Sequence, residues 1–160
     1  MKERFSALEV FEMAKDIEIR GKKFYLKYAE GTENKELAEF FRKLASDEQD
    51  HYERFSNLAE QLKENQDEAE YLYDEEVSAY FKYLVDLSVF PEADSEDSKQ
   101  ALHSVEKALK LAIQAEKDSI LFYREMCDYN EGKTIDAIKT LIGEEKQHFK
   151  DLTEYAKRYK

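Results

Sequence analysis

Cysteine and proline occur once each in this chain of 160 residues, and glycine only four times. Each scarcity closes off a class of protein. The lone Cys127 excludes an internal disulfide framework and any cysteine-rich zinc or iron module, and a reducing cytoplasm is the expected compartment. So little glycine and proline leaves few turns, which favours long helices over a many-stranded sheet protein. Long apolar runs are missing too. The opening MKERFSALEVFEMAKD has no continuous apolar stretch, so no secretory signal is expected, and no segment approaches the roughly 20 apolar residues of a membrane span. Basic residues are outnumbered, 25 Lys and Arg against 37 Asp and Glu, giving a net charge of −12. That balance argues against nucleic acid and against anionic membranes, both of which select clustered positive charge. It is compatible with attracting cations, although a solvated acidic surface is the commoner reason for it.

What is present is helical periodicity in a chain long enough for one domain with a sizeable core. A first helix is expected over about 7–29, opened by the capping box Ser6-Ala7-Leu8-Glu9 and stopped at Gly31. A second should start near Thr32 to Asn34 and run to about 64. Residues 65–104 differ in kind: a short helix is expected near 74–87, followed by PEADSEDSKQ, read as a surface loop. A third long helix is expected from after Ser104 to about 129, a tight turn at Asn130-Glu131-Gly132, and a fourth helix over about 134–158. Two helical hairpins joined by a long crossover containing a short helix describe an all-α four-helix bundle in a single domain, residues 1–160.

The two halves repeat. At a shift of 98, Ala14, Glu18, Phe24 and Tyr25 fall on Ala112, Glu116, Phe122 and Tyr123. At a shift of 97, FRKLASDEQDHYERF falls on IKTLIGEEKQHFKDL, so Glu48 and His51 correspond to Glu145 and His148. Stepping by three and four, the buried stripe of the second helix reads Leu37, Phe41, Leu44, Glu48, His51, Phe55, Leu58, Leu62. The first and third helices interrupt their apolar stripes at Glu18 and Glu116, and the fourth at Glu145 and His148. Glu18 and Glu48 lie nearly equidistant from the first turn, and Glu116 and Glu145 from the second. In antiparallel hairpins each pair is therefore level, and a bundle brings both pairs to its centre.

Four carboxylates in a core would repel one another and lose hydration, so the arrangement calls for cations or protons. Two divalent metals neutralise four carboxylates, and His51 and His148 each offer an imidazole nitrogen. Glu-x-x-His places both side chains on one helix face, and two such motifs with two further glutamates form the di-metal carboxylate pattern of bundle proteins. Oxygen-rich, sulfur-free ligation suits iron or manganese, and zinc can occupy such a site without redox function. By analogy with that pattern, Glu48 and Glu145 would bridge the metals, while Glu18 and Glu116 would each cap one. Gly21 and Ser119, one turn further on, either leave room for an oxidant or allow close helix packing. Tyr25 and Tyr123, two turns on, either bond to a ligand and intercept oxidising equivalents or serve as core aromatics. His103 lies outside the pattern.

The glutamate in EIRGKKFY, the DEQDH motif, EKDSILFY and EEKQH, together with the long crossover, make the chain resemble the rubrerythrin-like group of the ferritin-like superfamily over nearly its whole length. The resemblance implies a di-iron protein reducing hydrogen peroxide or dioxygen, re-reduced by a rubredoxin-type donor. No Cys-x-x-Cys pair is present, so that donor would be a separate protein. Rubrerythrins carry an additional carboxylate one turn from the third-helix ligand, where this chain has Ile113 and Ser119; the symmetric six-ligand set resembles bacterioferritin in that respect. The alternatives are a ferroxidase or iron-handling protein, ranked lower as a storage shell because the chain ends close after the fourth helix, and a metal-stabilised bundle without enzymatic activity. A homodimer is expected, and the long crossover permits exchange of helices between protomers.

Overall fold

The computed structural model describes residues 6–64, 75–87, 90–92, 94–130 and 132–159, and every regular element among them is an α-helix. These are α1 (Ala7–Gly31), α2 (Lys35–Glu64), α3 (Glu75–Leu87), α4 (Glu96–Ala101), α5 (Val105–Cys127) and α6 (Gly132–Arg158). α1 and α2 form one antiparallel hairpin, α5 and α6 the other, and the segment between them carries α3 and α4. This is the all-α bundle expected from the periodicity. Residues 65–74 and Glu131, and with them the expected start of the crossover and the middle of the second turn, lie outside the described residues.

The helix ends follow local chemistry. Ser6 caps α1 as a complete capping box: its hydroxyl accepts from the Glu9 N–H, and the Glu9 carboxylate accepts from the Ser6 N–H, both at 3.2 Å. Asn34 does the same work for α2, accepting from the Leu37 N–H at 3.1 Å, and Ser104 for α5, accepting from Lys107. Three boundaries shift, α5 ending at Cys127 rather than near 129. α1 runs through Gly31 and ends where Thr32 turns extended. α6 begins at Gly132, whose φ of +55° is the left-handed region that glycine enters without a Cβ clash.

One expectation is corrected. The stretch read as a loop, PEADSEDSKQ, includes the short helix α4. Ser95 caps it by accepting from the Ser98 N–H, with Glu96 and Asp97 in its first turn and Lys99 in its last. Ser98 and Ala101 are buried beneath it, and the Ser98 hydroxyl donates to the Glu92 carbonyl at 2.7 Å. A polar composition concealed a one-sided contact with the core.

The core is in two pieces. One contains Tyr25, Tyr28, Leu37, Phe41, Leu44, Phe90, Leu109 and Leu152. The other contains Phe11, Ile17, Phe55, Phe81, Phe122, Tyr123, Met126 and Leu141. Between these apolar ends lies the level at which every long helix carries a polar buried residue: Glu18, Glu48, His51, Glu116, Ser119, Glu145 and His148 are all nearly inaccessible to solvent. The crossover closes both ends, Phe81 of α3 packing edge-on against Phe122 at 5.1 Å and Phe90 against Tyr25 at 5.3 Å.

Candidate metal centre

All six residues singled out by the repeat meet at that level. They form two groups of potential ligand atoms, each drawn together within 4.8 Å: Glu18, Glu48, His51 and Glu145 in one, and Glu48, Glu116, Glu145 and His148 in the other. Glu48 and Glu145 belong to both, whereas Glu18 with His51 and Glu116 with His148 belong to one each. The two imidazoles lie 5.6 Å apart and nearly parallel, at 23°.

Both histidines turn Nδ1 inward. His51 Nδ1 is 2.7 Å from Glu145 Oε1 and 3.5 Å from Glu18 Oε2. His148 Nδ1 is 3.3 Å from Glu48, 3.4 Å from Glu145 and 3.5 Å from Glu116. Six buried atoms of the cluster have no hydrogen-bond partner: Glu18 Oε2, Glu48 Oε1, His51 Nε2, Glu116 Oε2, Glu145 Oε2 and His148 Nδ1. Orphaned buried groups of this kind cost about 1–3 kcal/mol each, more when charged. Four carboxylates and two imidazoles make an oxygen-and-nitrogen donor set that fits divalent cations.

The electrostatics carry the mark of crowding. Burial, then the charges of Glu145, Glu18 and Glu116, hold the Glu48 carboxyl well above the ordinary range. Glu116 is pushed up to about 8, first by burial and then by Glu145. Burial acts upward on Glu145 as well, but hydrogen bonds with Glu116, His148 and His51 outweigh it and its net shift is downward. His51 opposes its own burial and rises to about 10 through its bonds with Glu145 and Glu18. Without a cation, the site is held together by such shared protons.

Tyr25 and Tyr123 are both core residues and bonding residues. Each is fully buried, and each reaches across to the opposite hairpin: Tyr25 donates to Glu116 Oε1 at 2.6 Å, and Tyr123 to Glu18 Oε1 at 2.5 Å. Burial, followed by the nearby carboxylate charges, holds both phenols well above their usual range, so they keep their protons.

The space beside Gly21 is filled. A Cβ built there would lie 2.8 Å from Phe90 Cε2 and 3.2 Å from Glu48 Oε2. Gly21 therefore serves close packing, with a ring from the crossover and with Glu48 of α2, and the space is not a vacant berth for an oxidant. Ser119, its counterpart, turns its hydroxyl back to the Ala115 carbonyl at 2.9 Å.

Four contributors escaped the sequence reading. Asp47 accepts from His148 Nε2 at 3.0 Å, and Glu144 faces His51 Nε2 at 3.9 Å. The signal was available, because DEQDH and EEKQH both begin with two acids. A carboxylate bonded to the outer nitrogen of a ligating imidazole fixes its orientation and raises its basicity, as Asp47 does for His148, while Glu144 stands beyond bonding distance of His51. The other two, Arg54 and Phe90, have no periodic signature.

The Rubrerythrin family model matches residues 9–156. A solved structure from Thermotoga maritima, described as a ferritin-like diiron-carboxylate protein, superposes with a TM-score of 0.74 at 24% identity, covering 98% of this chain and 98% of that one. That likeness carries the fold. No curated protein matches. With the family model spanning nearly the whole chain, from α1 to the end of α6, this protein belongs to the rubrerythrin family.

Proposed function

We propose that the protein is a di-iron carboxylate oxidoreductase that reduces hydrogen peroxide or dioxygen with electrons from a separate donor protein. The observation that carries this reading is the pair of ligand groups sharing Glu48 and Glu145. Glu18, Glu48, His51 and Glu145 would hold one cation, and Glu48, Glu116, Glu145 and His148 a second. Iron bound there would supply a two-electron couple and Lewis acidity for the oxidant.

The chain's own residues do the rest. Reduction of one peroxide to two waters consumes two electrons and two protons. Tyr25 and Tyr123 hold phenolic protons beside the cluster and fix Oε1 of Glu116 and Oε1 of Glu18. The two apolar clusters exclude bulk water, so the carboxylates act in a low dielectric where their charge counts for more. Asp47 keeps the His148 ring in place with Nδ1 turned inward.

The test is metal analysis of protein purified without air, then stopped-flow mixing of the ferrous form with peroxide and with dioxygen. Two irons per chain and faster oxidation by peroxide are expected. Equal or slower reaction with peroxide removes the peroxidase assignment, and retention of the oxidised iron as a growing mineral would favour iron handling.

A further inference from the structure

The repeat makes the metal-facing side of the centre nearly symmetric, and the outer side breaks that symmetry. Positions 47 and 144 correspond, and each presents a carboxylate behind the histidine of the opposite hairpin. On one side the bond is made, Asp47 Oδ2 lying 3.0 Å from His148 Nε2. On the other it is not. Glu144 Oε2 is 3.9 Å from His51 Nε2, and that nitrogen, inside a histidine only 1% exposed, has no hydrogen-bond partner.

Arg54 is the cause. Its guanidinium holds Glu144 with both arms, Nη1 to Oε2 at 2.5 Å and Nη2 to Oε1 at 2.8 Å. Asp50, one turn back on α2, braces the fork through Nε at 2.9 Å and Nη2 at 2.6 Å. A bidentate guanidinium–carboxylate pair of this kind is geometrically committed. The repeat places Asp151, an acid, where Arg54 would recur. The cation on Asp47 is Lys43, a single exposed ammonium at 3.1 Å that leaves the bond to His148 intact.

We infer that Arg54 is a positioning residue that makes the two halves of the centre unequal: by withdrawing Glu144 from His51, it leaves the Glu18–His51 position with the weaker affinity for a divalent cation. Loss of a carboxylate behind a ligating histidine typically costs about 10- to 100-fold in metal affinity. The Glu116–His148 position, with Asp47 in place, fills first. The inference rests on the two-cation reading of the cluster.

The experiment is anaerobic titration of the metal-free full chain with cobalt(II), followed by its absorbance and by competition with a chelator. Wild type is expected to bind two equivalents in two steps separated by about 10- to 100-fold. Matching substitutions at positions 47 and 144 should then act unequally. Asp47→Asn weakens the tight step by about 10- to 100-fold, whereas Glu144→Gln leaves both steps unchanged, since Glu144 does not reach His51. Arg54→Met keeps the aliphatic stem, frees Glu144 and tightens the weak step. Adding Glu144→Gln to Arg54→Met reverses that gain, which a merely structural role for Arg54 does not produce. All four proteins are checked for native helicity by circular dichroism before titration, and the contrast between Asp47→Asn and Glu144→Gln stands even if Arg54→Met does not fold. Two equivalents bound in indistinguishable steps, or equal losses from Asp47→Asn and Glu144→Gln, overturn the inference. Failure of wild type to bind cobalt at all overturns the two-cation reading instead.

Discussion

The two hairpins of this bundle place the same residues at the same level and surround them differently. Each supplies one glutamate from its first helix and a Glu-x-x-His pair from its second, and each sends a tyrosine to the other's glutamate. Away from the cluster the likeness ends. The first hairpin carries Gly21, over which Phe90 folds, while the second carries Ser119, bonded to its own helix. Arg54 grips a carboxylate of the opposite hairpin, while its counterpart Asp151 accepts from Gln147 one turn away on α6. Repetition fixes where charge is buried; the unrepeated residues decide how each half is enclosed and tuned.

The strongest way to break the comparison is to take away what both hairpins hold in common. With metal absent, the buried carboxylates and imidazoles are held only by the protons they share and by the two apolar clusters. At a free metal concentration about 1,000 times the dissociation constant, one bound cation stabilises by about 4 kcal/mol. For a chain of this size that corresponds to roughly 8–16 °C in melting temperature. Calorimetric scans of the metal-free and ferrous proteins, both kept without air, should differ by at least that interval. Coincident melts would mean that no cation binds at this level.

The crossed tyrosines test whether the hairpins are equal partners. Tyr25→Phe and Tyr123→Phe each remove one buried bond to a carboxylate and leave the ring, so each should cost about 1–3 kcal/mol. Because the two bonds are nearly the same length and both phenols are fully buried, the two losses should agree closely. Urea unfolding of the metal-loaded variants measures this. A loss at one position only would show that one hairpin holds the site and the other merely covers it.

How much of this was legible beforehand follows from the same contrast. The six cluster residues could be read from sequence because a polar residue in an apolar stripe is conspicuous, and because two turns fixed the level of each. The stripe of α1, from Ala7 through Phe11, Ala14, Glu18, Gly21 and Tyr25 to Tyr28, is buried at every position. Asp47 and Glu144 were visible as letters but not as partners, since they sit off the stripe and act across hairpins. Phe90 and Arg54 were not legible, because the path of an irregular crossover and the reach of a long side chain have no period. α4 was missed for a related reason: its helix rests on the Ser95 cap and two small buried residues within a strongly polar composition.

The smallest expected effects come from two glycines, one inside a helix of each hairpin. A methyl group at Gly21 meets the Phe90 ring at 2.8 Å, and that ring is held by Phe24 at 5.7 Å and Tyr25 at 5.3 Å, so it has little room to yield. Overpacking of this kind costs about 1–3 kcal/mol, against a gain of about 0.5–1 kcal/mol for alanine over glycine within a helix. Gly21→Ala should therefore destabilise by up to about 2.5 kcal/mol, and Phe90→Leu in the same chain should recover part of it. Gly143 is exposed on α6, and a Cβ there meets nothing within 4 Å. Only the helical term remains, so Gly143→Ala should stabilise by about 0.5–1 kcal/mol. Opposite signs for the same substitution, read from paired denaturation curves, would show that the crossover packs against the first hairpin at this level and leaves the second open. If both substitutions stabilise, the Phe90 ring gives way, and the first hairpin is no more tightly closed there than the second.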